Sequence, residues 1–187
     1  MQKIYFDNAA ATPLSKEVAD FMHKANLELY GNPSSIHSFG RKARAQIEMA
    51  RKNIADVIGA NSKEIIFTSG GTEANNAVFH FAVNDLNIER VITSEIEHYA
   101  VLKPISELPH NIEVDFVEID KNGDVNLDHL KKLLSKKKKT LVSLMHVNNE
   151  IGNLLPITKV ASICKENNAL FHSDTVQSIA YFDINVK

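Results

Sequence analysis

Glu64-Ile65-Ile66-Phe67-Thr68-Ser69-Gly70-Gly71-Thr72-Glu73-Ala74-Asn75-Asn76 is the most informative stretch for the architecture. Its first five residues form a short, β-rich apolar run that reads as a strand. The stretch from Glu73 to Val83 reads as a helix, and Ser69-Gly70-Gly71-Thr72 leads directly from one to the other. Downstream the same rhythm repeats. Arg90–Thr93 reads as a strand, with a helix near Tyr99 to Leu108. Val114–Ile119 alternates as a strand does, Asn122-Gly123-Asp124 is a turn, and Leu127–Leu134 is a short helix. Leu141–Met145 reads as a strand, a helix starts near Pro156 and runs to about Asn168, and Leu170-Phe171-His172 is the last strand. Upstream the chain is mainly helical. Ser15 can cap a helix through Val18, Phe21, Met22 and Leu29. Tyr30-Gly31-Asn32-Pro33-Ser34-Ser35 is a turn-forming cluster. A long helix then places Ala43, Ile47, Ala50, Ile54, Val57 and Ile58 on one face, with Gly59 as its stop. Strand–helix alternation of this kind predicts an α/β fold with a mostly parallel sheet and helices on its faces.

The composition suits a globular chain. Of 187 residues, 44% are hydrophobic and 24% charged, which argues against wholesale disorder. A formal net charge of −2 removes any general argument for nucleic acid or an anionic membrane as partner. No apolar run approaches the roughly 20 residues of a membrane span, and the N-terminus shows no signal-peptide core. One cysteine, Cys164, excludes an internal disulfide framework and a multi-cysteine metal site. A soluble cytoplasmic protein is the expectation.

In open α/β sheets, ligands collect beyond the C-terminal ends of the strands. Four of the five expected ends carry polar, chemically capable residues. They are Ser69-Gly70-Gly71-Thr72-Glu73, Ser94-Glu95-Ile96-Glu97-His98, His146-Val147-Asn148-Asn149-Glu150 and Ser173-Asp174-Thr175-Val176-Gln177. In the first, glycines allow close backbone approach, a helix N-terminus offers free N–H groups, and Thr72 adds a hydroxyl. It reads equally as a phosphate cup and as an ordinary capped turn. It is neither Gly-x-Gly-x-x-Gly nor a P-loop. Asp174, flanked by apolar sequence, needs a partner to stay charged. A cationic ring nitrogen would serve, although Asp174 taken alone also fits as the N-cap of the next turn. His98 taken alone fits a structural hydrogen-bonding role. The other histidines show no ligand spacing, so no metal site is expected. The lysines at 131, 132 and 136–139 read as a solvated helix end. Cys164, within an expected helix, reads as a structural thiol.

Six segments in this order resemble the NifS/IscS-type cysteine desulfurases, pyridoxal phosphate (PLP) enzymes of the class-V aminotransferase group. They are Tyr5-Phe6-Asp7-Asn8-Ala9-Ala10, Tyr30 to His37, Thr68 to Asn76, Glu97-His98, Met145 to Gly152 and His172 to Ser178. The resemblance covers essentially the whole chain. It implies a fold-type-I PLP-dependent transferase large domain, incomplete, with the last strands and the C-terminal small domain absent. Residues 1–14 would be an N-terminal segment and 15–187 the partial PLP-binding domain. It also implies site roles. The Gly71 backbone and Thr72 would hold the PLP phosphate, and His98 would stack on the ring and move protons. Asn149 would sit near the ring and substrate carboxylate. Asp174 would pair with the pyridinium nitrogen, and Gln177 would bond the phenolic oxygen. The substrate would be L-cysteine and the products alanine and an enzyme persulfide, with a sulfur-acceptor scaffold protein and a homodimer expected for the full-length family.

The sequence departs from the family pattern at Ala11, usually Thr, and at Tyr99, usually Pro. A larger departure is the lack of a Ser-x-His-Lys segment carrying the Schiff-base lysine. Lys187 follows Asp183-Ile184-Asn185-Val186 and is not that lysine. The persulfide cysteine and the arginine that grips the substrate carboxylate are also absent, and Cys164 is not at the catalytic position. By this analogy the strand at Glu64–Thr68 lacks its neighbours and Leu170–His172 has an open edge. A chain that alone is unstable, aggregation-prone or supported by a partner is therefore expected, and the missing lysine and persulfide cysteine imply that it is inactive by itself. Other readings are a second class-V PLP enzyme such as a selenocysteine lyase, a non-enzymatic truncated remnant, or a generic nucleotide-binding domain. The last is disfavoured by the missing fingerprints.

Overall fold

The computed structural model describes residues 3–187, in two compact units: the chain up to Phe67 together with Ala180–Lys187, and Thr68–Ile179. In the first unit, α1 (Lys16–Glu28) starts where Ser15 accepts a hydrogen bond from the Val18 N–H at 3.3 Å. α2 (Ser38–Ile58) is capped by His37 and stops at Gly59, whose left-handed φ of 71° suits glycine. Gly40 is required for a different reason. A Cβ there would come within 2.4 Å of the Ser35 carbonyl oxygen and 2.5 Å of that of Asn32. The returning tail closes on α2 through Val186 N–H to Ile58 O at 3.1 Å. No residue of α1 is buried, and Phe21, Met22 and Leu27 are exposed along it.

Glu64–Thr68 is not a strand. Ser62–Glu64 forms a 3-10 turn with a capping box from Asn61, and the residues after it stay extended without a ladder. A strand exists through hydrogen bonds to a neighbour, and among the described residues none pairs with this segment. Ile66 is 82% exposed as a result. Arg51 holds the segment instead, donating to the Ile65 carbonyl and lying 4.8 Å over the Phe67 ring.

The second unit contains the sheet. β1 (Arg90–Thr93), β2 (Glu113–Phe116), β3 (Thr140–Ser143) and β4 (Leu170–His172) are all parallel, in the order β2-β1-β3-β4. β1 and β3 are wholly buried, as central parallel strands must be. Successive strand residues face opposite sides. Val91 and Leu141 pack with Phe79 and Ala82 of α3 (Gly71–Asn84) and Val101 and Ile105 of α4 (Tyr99–Ser106). Ile92 and Val142 pack the other way, with Leu130 and Leu134 of α5 (Leu127–Leu134) and Val160, Ile163 and Cys164 of α6 (Ile157–Glu166). The result is helix, sheet and helix in three layers.

Two strand ends differ from the sequence reading. β2 stops at Phe116, because Ile119 bridges Val125 across the Asn122–Asp124 turn. β3 stops at Ser143, although Leu144 N–H still bonds His172 O at 3.1 Å and His146 N–H bonds Asp174 O at 3.0 Å. The lysine cluster is also more than a solvated helix end. Lys136 and Lys138 lie past α5 and reach Glu113 on β2 at 2.8 and 2.6 Å. Among the described residues no helix is long and apolar enough to cross a membrane.

Among the described residues Arg90 is the one fully buried cation. It pairs with Asp115, lies 3.6 Å from Glu113, and donates to the Leu133 carbonyl at 2.6 Å. It thereby ties β1 to β2 and to the end of α5. Removing it leaves Asp115 and that carbonyl short of a donor, while Glu113 keeps Lys136 and Lys138. Arg90→Ala is expected to lower unfolding free energy by about 3 kcal/mol, measurable by urea denaturation. A loss within experimental error would show that the network contributes nothing to stability.

Candidate cofactor site at the strand ends

Asp174 leaves the end of β4 with both carboxylate oxygens held. Oδ1 accepts from the Val176 N–H at 3.0 Å, and Oδ2 accepts from Asn75 Nδ2 at 2.9 Å. The first bond fulfils the turn-capping reading of Asp174, and the second fixes its outward direction. Each oxygen keeps a further acceptor site, so the group can still take a donor from a ligand. Asn75 received no role in the sequence reading. The signal was there: Asn75, Phe79 and Ala82 form the buried stripe of α3, and a polar side chain on such a stripe requires a specific partner.

The same helix opens the anion site. α3 begins at Gly71 after an extended Gly70, and no side chain caps it. Its first N–H groups therefore lack the usual acceptor. A Cβ on Gly70 would meet nothing within 4 Å, so the space in front is open. A Cβ on Gly71 would lie 3.2 Å from Val176 Cγ2, so glycine lets the Asp174 segment come close to the helix start. Ser69 is turned away: its N–H and hydroxyl both bond Glu73 Oε2 at 2.6 Å. Thr72 is exposed at the first turn.

His98 caps α4, its Nδ1 accepting from the Ala100 N–H at 3.0 Å. This is the structural role considered for it. It fixes the tautomer of the neutral ring, leaving Nε2 as the donor. Asn149 is half-buried, with Nδ2 bonded to Glu150 Oε1 at 2.8 Å. Asn148, also without a role in the sequence reading, is what positions that turn. Its amide nitrogen donates to Ile96 O at 2.7 Å, and its oxygen accepts from the N–H groups of Glu150 and Ile151 at 2.8 and 3.1 Å. Gln177 is half-buried in the short turn after Asp174, next to buried Ser178. One connected path thus joins the sequence-derived residues. α3 holds Asp174, the Asp174 carbonyl holds the β3 exit, and the β3 exit holds the loop that presents His98.

Glu97 lies on that path. It is buried, with Oε1 accepting from Ser94 Oγ at 2.9 Å and from the Met145 N–H at 3.0 Å. Burial pushes its carboxyl up to about 7. The bonds from Met145 and Ser94 oppose the rise, and the charge of Asp174 adds to it. Burial also lowers the pKa of His172 and of His146, with Asp174 partly offsetting the effect at His172. His172 bonds Ser143 Oγ at 2.9 Å and meets Phe79 edge-on. Cys164 sits in the α5/α6 layer, and burial pushes its thiol up to about 12, too high for a thiolate nucleophile. An uncapped helix start with open space before it, and a carboxylate aimed by a buried amide on that same helix, fit a phosphate-bearing ring with a protonated nitrogen.

The class-V aminotransferase family profile matches residues 4–187. The chain is 46% identical to the cysteine desulfurase IscS of Dictyoglomus turgidum, over 99% of this chain and 48% of that protein. It is 41% identical to a putative cysteine desulfurase, IscS 1, of Bacillus subtilis, over 100% and 50% respectively. Among solved structures, a NifS-like protein superposes with a TM-score of 0.92 at 36% identity, covering 99% of this chain and 52% of the other. A structure described as SspA in complex with cysteine gives 0.88 at 35%, covering 97% and 53%. The chain therefore spans about half the length of these relatives.

Asn75→Ala is expected to cost about 2 kcal/mol, the value of a hydrogen bond to a charged group. In a double-mutant cycle with Asp174→Ala the losses should fall short of additive, because each variant removes the same bond. Strict additivity in chemical denaturation would show that the bond carries no coupling energy.

Proposed function

From the premise that this chain belongs to the class-V aminotransferase family, among its NifS/IscS-type cysteine desulfurases, we propose that it is the cofactor-holding half of a desulfurase. PLP is the cofactor of this family, and when bound it supplies an electron sink for the amino-acid substrate. The Gly71 N–H and the Thr72 hydroxyl hold the phosphate. Asp174 pairs with the ring nitrogen and keeps it protonated, and Gln177 bonds the phenolic oxygen. His98 would contact the ring, with Nε2 free to hold or move a proton. Asn149 faces the substrate carboxylate. Residues 15–187 form part of the large domain, and L-cysteine is the substrate. In the homodimer of the complete enzyme a cysteine thiolate would take the substrate sulfur as a persulfide while the Cβ–S bond breaks, its electron pair and a proton ending in alanine, and an acceptor protein would then receive that sulfur.

One observation supports this reading: the uncapped start of α3 and the Asn75 donor to Asp174 lie on the same helix, about 6 Å apart along its axis at about 1.5 Å rise per residue. The first would take the phosphate and the second aims the acid that would face the ring nitrogen. Cys164 cannot stand in for the sulfur-accepting thiol, because it is buried and protonated. No residue of this chain matches the family's cofactor-bonding lysine.

PLP titration followed by absorbance tests the reading. Asp174→Ala and Thr72→Ala should each weaken binding about tenfold, equivalent to about 1.4 kcal/mol. Affinities equal to wild type would refute the assigned roles. The chain incubated with PLP and cysteine should release no alanine above a protein-free control, and protein-dependent alanine would overturn the half-enzyme reading.

A further inference from the structure

We propose that Glu97 is a positioning residue whose side chain clasps the His98 loop to the exit of β3, tight when the carboxyl is neutral and loose when it is ionised. The functional part rests on the reading of His98 and Asn149 as cofactor contacts; the clasp itself rests only on geometry.

The clasp joins two neighbouring strands. One oxygen of Glu97 takes a hydroxyl donor from Ser94, just past β1, and a backbone donor from Met145, just past β3. Asn148 to Ile96 is a second tie across the same gap. The other oxygen, Oε2, is buried and has no donor among the described residues. A neutral carboxyl tolerates this arrangement far better than a carboxylate, which would bury a charge on an oxygen with nothing to bond. Glu97 is only 6% exposed. The titratable groups around it bring no compensating positive charge. Asp174, past β4, is an acid whose charge disfavours a second one nearby, and Asp124 is another acid across the adjoining cavity. His146 and His172 are held toward their neutral forms by burial, and His98 uses Nδ1 to cap α4. That cavity, about 350 Å³, is lined by Ser94, Glu97, Asp124, Leu144, Asn148 and Asn153 among others. It gives an ionised side chain somewhere to turn for water. Turning releases Ser94 and Met145, and with them the loop that ends in His98.

The sign follows from the raised carboxyl, about 7 against an ordinary 4.5. Between those values the folded chain keeps a proton that the unfolded chain has lost. The stabilisation is therefore full below the unfolded value and is lost as pH rises through about 7. The clasp should loosen over the same interval.

Two readouts test this on wild type, Glu97→Gln and Glu97→Ala. Glutamine keeps the accepting oxygen and the shape without the titration; alanine removes the clasp. First, amide hydrogen exchange at Met145, without PLP, is followed from pH 6 to 8. The wild-type protection, divided by that of Glu97→Gln, should fall at least threefold. Second, the PLP dissociation constant is measured over the same range, where the cofactor's own titration cancels in the ratio of wild type to Glu97→Gln. That ratio should rise at least threefold toward pH 8, with Glu97→Ala weak throughout. A pH-independent exchange ratio overturns the clasp. An exchange ratio that changes while the PLP ratio stays flat overturns the link to the cofactor and leaves the clasp standing. Absence of PLP binding in every variant refutes the cofactor reading of the site, and the exchange experiment still decides the clasp.

Discussion

Parallel pairing of β1 with β3 is the constraint on which the rest depends. Parallel strands need both faces covered, and here Val91 with Leu141, and Ile92 with Val142, point to opposite helical layers. Parallel strands also end on the same side. The loops after β1, β3 and β4 therefore emerge together, and each carries polar residues that the buried strands cannot hold. α3 brings its N-terminus to the same edge because Phe79 and Ala82 anchor it on the sheet.

Once those loops converge, their buried polar groups have to satisfy one another. The structure does this through backbone groups and amides. Asn148 uses its oxygen and its nitrogen to fold one turn and tie it to the next loop. Asn75 aims Asp174. What the edge lacks is positive charge. Asp174 and Glu97 lie near each other with no lysine or arginine bonded to either among the described residues. Buried Arg90 is committed to Asp115 and Glu113 at the other end of β1. A site with acids, amides and an uncapped helix start is short of a cation at one end and of an anion at the other. A protonated ring bearing a phosphate supplies both.

Much of this was legible from residue order. Ser15 and Gly59 marked helix ends that the structure reproduces, and Leu127–Leu134 and Leu170–His172 have the expected bounds. These features are local: a cap, a left-handed glycine, a period of hydrophobic residues. Glu64–Thr68 was misread for the opposite reason. Its composition is that of a strand, but pairing is not a local property, and among the described residues no neighbour provides it. The six residues assigned by resemblance are exposed or half-buried loop and helix-start positions. The groups that fix them, Asn75, Asn148 and Glu97, are buried and carried no role in the sequence reading.

Residue order alone specifies the alternation of elements, the α/β class, and the polar segments that follow the strands. Periodicity, caps and turn residues act over a few positions, so order along the chain is enough to specify them. Packing in three dimensions sets which strand neighbours which, makes Asn75 the donor to Asp174 across 99 positions of chain, and lets one oxygen of Glu97 join Ser94 to Met145 while the other has no donor among the described residues. Hydrogen bonds between segments far apart in sequence, and the desolvation that raises a carboxyl's pKa, depend on what surrounds a group in space, and that exists only after the layers have packed.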